Sequence, residues 1–387
     1  MGSPRRSENR VRHDPAGVVA DVRSGATASA PGVRYPFSMN RRPRVVDRRP
    51  DPATAGTNGH RAGPRAASRE APLVSAIVAA YNGAAFLRES LDSILAQDWP
   101  RLEVIVCDDG STDDTPAILA SYGDRLHVLR QPNRGVAAAR NRAAAEARGD
   151  YLAFLDQDDC WEAGMLGALV PVLEQRPELG LVYADSWVTT ANGARRGRRG
   201  AFLSYAEGDV FSRLLHDNFI PIESTVFRTR VFRELGGFDE ALRLLEDYEL
   251  CLRISRRWRV AHHPEALARY RIHDGNLSHD IVGILREFVD VLEQVPQVFA
   301  NLSDEDRATV EYEVARRCAE LAWQLLRRRE LGEAGAFMGR AASRPPTWLA
   351  WKVRVGQRLL TTLPEPLADR LLRMLPRRKL YGIRGRA

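Results

Sequence analysis

The chain has 387 residues, 44% of them hydrophobic and 28% charged, a composition that suits a folded globular protein with a sizeable core and excludes a collagenous or wholly disordered one. The net charge of +7 is uneven: residues 1–70 carry 14 Arg against 6 acids and residues 351–387 carry 10 Lys and Arg against 2, so each end is +8 and the stretch between is −9. An acidic body with basic ends argues against a nucleic-acid-binding body, and no run of about 18 apolar residues is present to cross a membrane as a helix.

Residues 1–70 are rich in Arg, Pro, Gly, Ala and Ser without hydrophobic periodicity, and read as a disordered arm. Order is expected from Leu73. Val74–Ala80 reads as a strand and 84–97 as a helix with Phe86, Leu87, Leu91, Ile94 and Leu95 on one face. A continuously apolar strand follows at 102–107, of the kind buried in parallel sheets. Thr115-Pro116 reads as an N-cap with Pro at the first helical position. A strand at 126–130, an Ala-rich helix at 135–147 closed by Gly149, and a strand at 151–155 complete an alternation that predicts βαβ units.

Beyond them the pattern predicts a helix at 164–175, a strand at 180–187, a basic hairpin or loop at 195–199, a helix at 208–216 and a strand at 224–228. A helix at 229–235 ending on Gly236-Gly237, a helix at 246–255 and a strongly helical stretch at 283–343 follow. Residues 351–376 are basic, Leu-rich and amphipathic, suited to a membrane surface or to packing on the body. The four cysteines, Cys107, Cys160, Cys251 and Cys318, show no paired metal spacing. They read as small buried hydrophobes in a reducing cytoplasm, and the first residues lack an apolar signal-peptide core.

Chemistry concentrates in three loops. Tyr151-Leu-Ala-Phe-Leu-Asp-Gln-Asp-Asp159 delivers three carboxylates within four positions. Such charges raise one another's pKa unless a cation offsets them, and they are the oxygen ligands that Mg2+ or Mn2+ prefer. The competing reading is an acidic solvated turn. The second strand runs into Asp108-Asp109-Gly-Ser-Thr-Asp-Asp-Thr115, and the first into Ala79-Ala80-Tyr81-Asn82-Gly83. Strands one, two and four thus release polar groups at one sheet edge, where open α/β folds bind ligands.

In these segments the chain resembles the family 2 glycosyltransferases. The resemblance runs from about Leu73 to Ser278, through Val74–Asn82, Val106–Thr115, Asn133-Arg-Gly-Val-Ala-Ala-Ala-Arg-Asn141, Phe154-Leu-Asp-Gln-Asp-Asp159, Gly236-Gly-Phe-Asp239, Glu246-Asp247 and Tyr270-Arg-Ile-His273. It implies an α/β fold of GT-A type: a Rossmann-like, mostly parallel sheet flanked by helices over 71–280, with a helical C-terminal extension over 281–387. It implies transfer of a sugar from a nucleotide-sugar, usually a UDP-sugar, to a hydroxyl acceptor, with inversion and with Mg2+ or Mn2+. The acceptor would be a glycan, a lipid or a small molecule, in surface polysaccharide, lipid-linked glycan or metabolite glycosylation by a bacterium. The setting would be the cytoplasm, with peripheral membrane contact through the basic C-terminal stretch.

Residue by residue, the resemblance gives Tyr81 and Asp109 to the nucleobase and Asp156 to the ribose side of an Asp-x-Asp element. Asp158 goes to the metal, with Asp159 sharing that task, and Arg140 lies near the diphosphate. Asp247 matches the general base, and His273 a late loop closing over the diphosphate or metal. Two departures narrow the expectation. Ala79 stands where the family often has Pro. Gln324-Leu-Leu-Arg-Arg328 lacks the Trp of processive membrane synthases, which speaks against that subclass. The rival from another class is a nucleotide-sugar-binding protein without turnover. A nucleotidyltransferase would want a Gly-rich basic loop after the first strand, and 79–88 offers one Gly and only Arg88.

Overall fold

The computed structural model describes residues 70–344 and Arg358. Apart from Glu70 and Arg358, the expected arm at 1–70 and the basic stretch at 351–376 lie outside the described residues.

Strands β1 (Val74–Ala80), β2 (Leu102–Asp108), β3 (His127–Arg130) and β4 (Tyr151–Asp156) alternate with helices α1 (Leu87–Leu95), α2 (Thr115–Ala120) and α3 (Val136–Glu146). The chain continues through β5 (Cys160–Trp161), α4 (Met165–Gln175), β6 (Leu179–Thr190), β7 (Arg195–Arg198), α5 (Phe211–Leu214), β8 (Thr225–Arg228) and α6 (Thr229–Leu235). Then come α7 (Glu246–Arg257), β9 (Arg259–Ile272), α8 (Ile281–Val298), α9 (Asp304–Arg327) and α10 (Leu331–Ala342).

One sheet runs in the order β3–β2–β1–β4–β8–β6–β9–β5, with β7 paired to β6. The expected α/β fold is borne out. β3, β2, β1 and β4 form its parallel half, while β8, inserted antiparallel between β4 and β6, turns the second half into a mixed sheet.

Several boundaries differ from the pattern for local reasons. Helix α1 begins at Leu87 because Phe86 and Leu87 both donate to the Gly83 carbonyl, which makes 83–86 a turn. Thr115 is inside α2 and does not cap it; its hydroxyl accepts from the Gly83 N–H instead. Gly149 does not close α3 as a left-handed cap. Its backbone presses on β1, where a Cβ would sit 2.7 Å from the Ser75 nitrogen. Gly236, by contrast, is left-handed at φ +85 and stops α6 as expected. The sequence pattern missed β9, where His262-His263-Pro264 breaks any alternation.

The sheet carries an apolar layer on each face. One holds Ile77, Ile105, Phe154 and Phe227 with residues of α3, α7, α8, α9 and α10, and the other holds Val78, Val106 and Leu155 with residues of α1, α2 and α4. Phe154 packs edge-on to Phe227 and Phe238 at 5.6 and 5.0 Å between centroids. Among the described residues, no helix is long and apolar enough to cross a membrane.

Candidate active site

Register aligns the carboxyl ends of three strands: Ala79 of β1 is level with Asp156 of β4, and Ala80 with Asp108 of β2. The loops that leave these ends are bound to one another by polar side chains. Asn82, at φ +49, donates its N–H to Ser111 and accepts from the Thr112 N–H. Gln157 closes a two-way amide pair with Tyr81, accepting from its N–H at 2.8 Å and donating to its carbonyl at 3.0 Å. The Tyr81 ring is left exposed at the mouth of the crevice.

Asp109 is buried and accepts from the N–H groups of Arg134 and Gly135 and from the Gln131 amide, at 2.8–2.9 Å. Its carboxylate therefore locks the loop after β3 to the loop after β2. Oδ2 accepts only one of these bonds and keeps acceptor capacity.

The three acids after β4 part company. Asp156 is about one-third exposed and receives one arm of the Arg140 guanidinium. Asp158 faces His273, with Oδ2 2.8 Å from Nε2 and Asn276 Nδ2 at 3.5 Å. His273 Nδ1 accepts from the Gly275 N–H, which puts the ring proton on Nε2. Burial, reinforced by the charge of Asp156, holds Asp158 above the usual carboxylate range although His273 opposes the shift. Asp159 leaves the crevice. It is 2% exposed and accepts from the Arg271 N–H at 2.8 Å, with its pKa raised well above normal by burial.

Arg140 is a buried bridge between two carboxylates. One nitrogen binds Asp156, and Nη1 donates to Glu246 Oε1 at 2.6 Å. The ionic contacts keep it protonated despite burial. Glu246 is buried and its pKa rises to about 7, chiefly by desolvation; Arg140 lowers it and the neighbouring Asp247 raises it. Asp247, half-buried in the first turn of α7, is lifted to about 6, again first by desolvation. Its Oδ1 accepts from the Tyr248 N–H at 2.6 Å and from Asn218 Nδ2 at 3.5 Å, leaving Oδ2 available. One guanidinium thus serves several carboxylates, and their raised pKa values come first from burial, with like-charge neighbours adding to it and Arg140 opposing it at Glu246 and Asp247.

Four participants carried no assigned role in the sequence reading. Gln157 and Glu246 stood inside quoted motifs, and so did Arg271, whose side chain donates to the Asp158 carbonyl at 2.8 Å while its N–H holds Asp159. Asn218 lay in no motif at all.

Residues 75–236 match the family model for glycosyl transferase family 2. The chain carries a family 2 glycosyltransferase domain. Arg140, Asp156 and Asp158 fall inside the matched stretch; Glu246, Asp247 and His273 fall after it. An uncharacterized glycosyltransferase of Rickettsia typhi is 28% identical over 227 residues, covering 56% of this chain and 69% of the relative. The hyaluronan synthase of Pasteurella multocida is 27% identical over 219 residues, covering 56% of this chain but only 22% of that much longer protein. Among solved structures, S. aureus TarS 1–349 in complex with UDP is similar with a TM-score of 0.54 at 18% identity, covering 78% of this chain and 91% of that one. The mannosyltransferase PcManGT from Pyrobaculum calidifontis, in complex with GDP-Man and Mn2+, gives 0.51 at 22% identity over 78% and 84%. At these identities the structural likeness speaks to the fold, and the family match identifies the enzyme class as a glycosyltransferase.

Proposed function

We propose that this glycosyltransferase moves a sugar from a nucleotide-sugar, in the first instance a UDP-sugar, to a hydroxyl acceptor, with inversion and with the help of Mg2+ or Mn2+. The observation that carries the reading is a cluster of carboxylates at one sheet edge: Asp156, Glu246 and Asp247 gather around the buried Arg140, and Asp158 lies beside Asp156. Such a site favours an arriving cation and retains a base. UDP bound to TarS and GDP-Man with Mn2+ bound to PcManGT support the donor class and the metal.

The donor set fits a divalent ion shared with a diphosphate. Among the described residues, no group of three or more His, Cys, Asp or Glu side chains converges to hold a metal. Mg2+ and Mn2+ need no such cage, since one or two carboxylates plus substrate phosphates suffice. Asp158 and His273 would hold the ion, with His273 giving up its Gly275 contact to do so. Asp159 is the weaker candidate because its carboxylate is spent on Arg271. When bound, the ion would offset negative charge developing on the departing nucleoside diphosphate. Tyr81 would lie against the base, Asp109 would accept from its edge, and Asp156 would meet the ribose side with Arg140 fixing its carboxylate.

Asp247 Oδ2 would take the acceptor's hydroxyl proton, a role that a pKa of about 6 suits. Acceptors in this reading are a glycan, a lipid or a small molecule, for surface polysaccharide or another glycosylated product. The work would take place in the cytoplasm, with the basic stretch at 351–376 contacting the membrane.

The test is nucleoside diphosphate release across UDP- and GDP-sugars with Mn2+, with diphosphate binding measured alongside. Asp247→Asn should cut turnover by roughly 10²–10⁴-fold and leave UDP binding intact. A binding protein without turnover would show release in neither form, and absence of both binding and release would end the reading.

A further inference from the structure

The base sits at the start of a helix that does not cap itself. The N-cap of α7 is Leu245, which has no side chain able to accept from the backbone. Just before it, three consecutive N–H groups converge on one side chain from another helix. Glu287 Oε1 accepts from Arg243 at 3.0 Å, and Oε2 accepts from Leu244 at 2.9 Å and Leu245 at 3.0 Å. Glu287 lies in α8, well past the end of the matched family stretch and within the extension. The next residue of α8, Phe288, packs on Tyr248 at 4.8 Å between ring centroids, so α8 grips the chain on both sides of Glu246-Asp247.

We infer that Glu287 is a positioning residue for sugar transfer: its carboxylate clamps the 243–245 turn and so fixes where Glu246 and Asp247 enter the site. The inference rests on the transferase reading above. Three reasons separate this clamp from an ordinary stabilising contact. Leu250, Cys251, Leu252 and Ile254 are fully buried and hold the body of α7 in place without Glu287, so its loss should free only the first turn. That turn carries a close contact with little slack, Glu246 to Arg140 at 2.6 Å, and the second oxygen of Glu246 is buried without a partner. Misplacing a reacting group by about 1 Å can cost roughly 10²-fold in rate.

The experiment uses the full chain with Glu287→Ala, Glu287→Gln and, as a control, Glu333→Ala. Glu333 pairs with Arg286 at 2.7 Å on the same extension and touches nothing in the turn. Amide exchange over 243–248, kcat and KM for the donor, and UDP affinity with Mn2+ are measured for each. Glu287→Ala should speed exchange at 243–245 by about tenfold or more. It should lower kcat by about 10–100-fold, with donor KM and UDP affinity within about threefold of the parent. Glu287→Gln should restore part of kcat, because its one carbonyl oxygen can still serve Leu244 and Leu245. Glu333→Ala should resemble the parent. Unchanged exchange and kcat in a folded Glu287→Ala chain would overturn the clamp, as would an equal loss in Glu333→Ala. A parent chain that turns over no donor sinks the transferase reading and not the clamp, which then stands or falls on exchange at 243–248 alone.

Discussion

Asp247 can accept a proton only when ionised, and burial has moved that condition upward to about pH 6. With Asp247 as the proposed base, the expected kcat/KM profile falls on the acid side with an apparent pKa near 6, and the residual turnover of Asp247→Asn should lack that limb. Stability should respond with the opposite sense. A folded-state pKa above the unfolded value means the native chain holds this proton more tightly, so between about pH 4 and 6 the group's contribution to stability declines as pH rises. In Asp247→Asn that decline should shrink, so the parent's melting temperature should fall more steeply over this window than the variant's; equal slopes would argue against a raised pKa at Asp247. The residues that carry these effects were unequally visible in sequence. Asp156, Asp158 and Asp247 announce themselves as acids in a recognisable order. The partners that set their behaviour do not, because Arg271 reaches the Asp158 carbonyl across 113 positions and Asn218 belongs to no pattern.

At the scale of elements, the strands of the parallel half were legible because continuous apolar runs leave few alternatives. Their helices were legible too, although the turn at 83–86 shortened α1 and the Gly83 N–H claimed the hydroxyl expected to cap α2. Strand β9 was not legible: its fourteen residues pair with β6 on one side and β5 on the other, a tertiary arrangement that its own alternation does not encode. Gly149 shows how an element boundary can be right for a different reason. A methyl group there would meet Ser75 Oγ at 2.6 Å and the Leu73 carbonyl at 2.9 Å, both tied to the edge of β1. Gly149→Ala should therefore cost about 1–3 kcal/mol in chemical denaturation by forcing α3 away from the sheet. A loss below about 0.5 kcal/mol would mean that the strand shifts freely.

For the whole molecule, the helices after residue 280 share one apolar layer with the glycosyltransferase sheet. Leu285, Phe288, Leu292, Val314 and Leu325 belong to the same cluster as Phe154 and Phe227. A boundary at 280 looks natural where the sequence resemblance stops, yet it would cut through this layer. A chain ended at residue 280 should expose several large side chains, each contributing roughly 1.5–3 kcal/mol of burial. It should be aggregation-prone and lack a cooperative melting transition; a soluble, cooperatively melting 71–280 fragment would contradict the shared core.

The two-way amide pair between Gln157 and Tyr81 gives the middle of Asp156-Gln-Asp158 an unusual tolerance profile. A pattern search treats that position as a wildcard, whereas here it must give one hydrogen and take another. Glutamate has the right shape but, once ionised, can only accept, and it would confront the Tyr81 carbonyl with a negative charge. Gln157→Glu should thus behave as a conditional lesion. Donor KM should rise several-fold at neutral pH and recover as the medium is acidified and the new carboxyl regains its hydrogen, against the trend that Asp247 imposes on kcat. A saturation library at this site, scored by donor affinity, should return Gln almost alone.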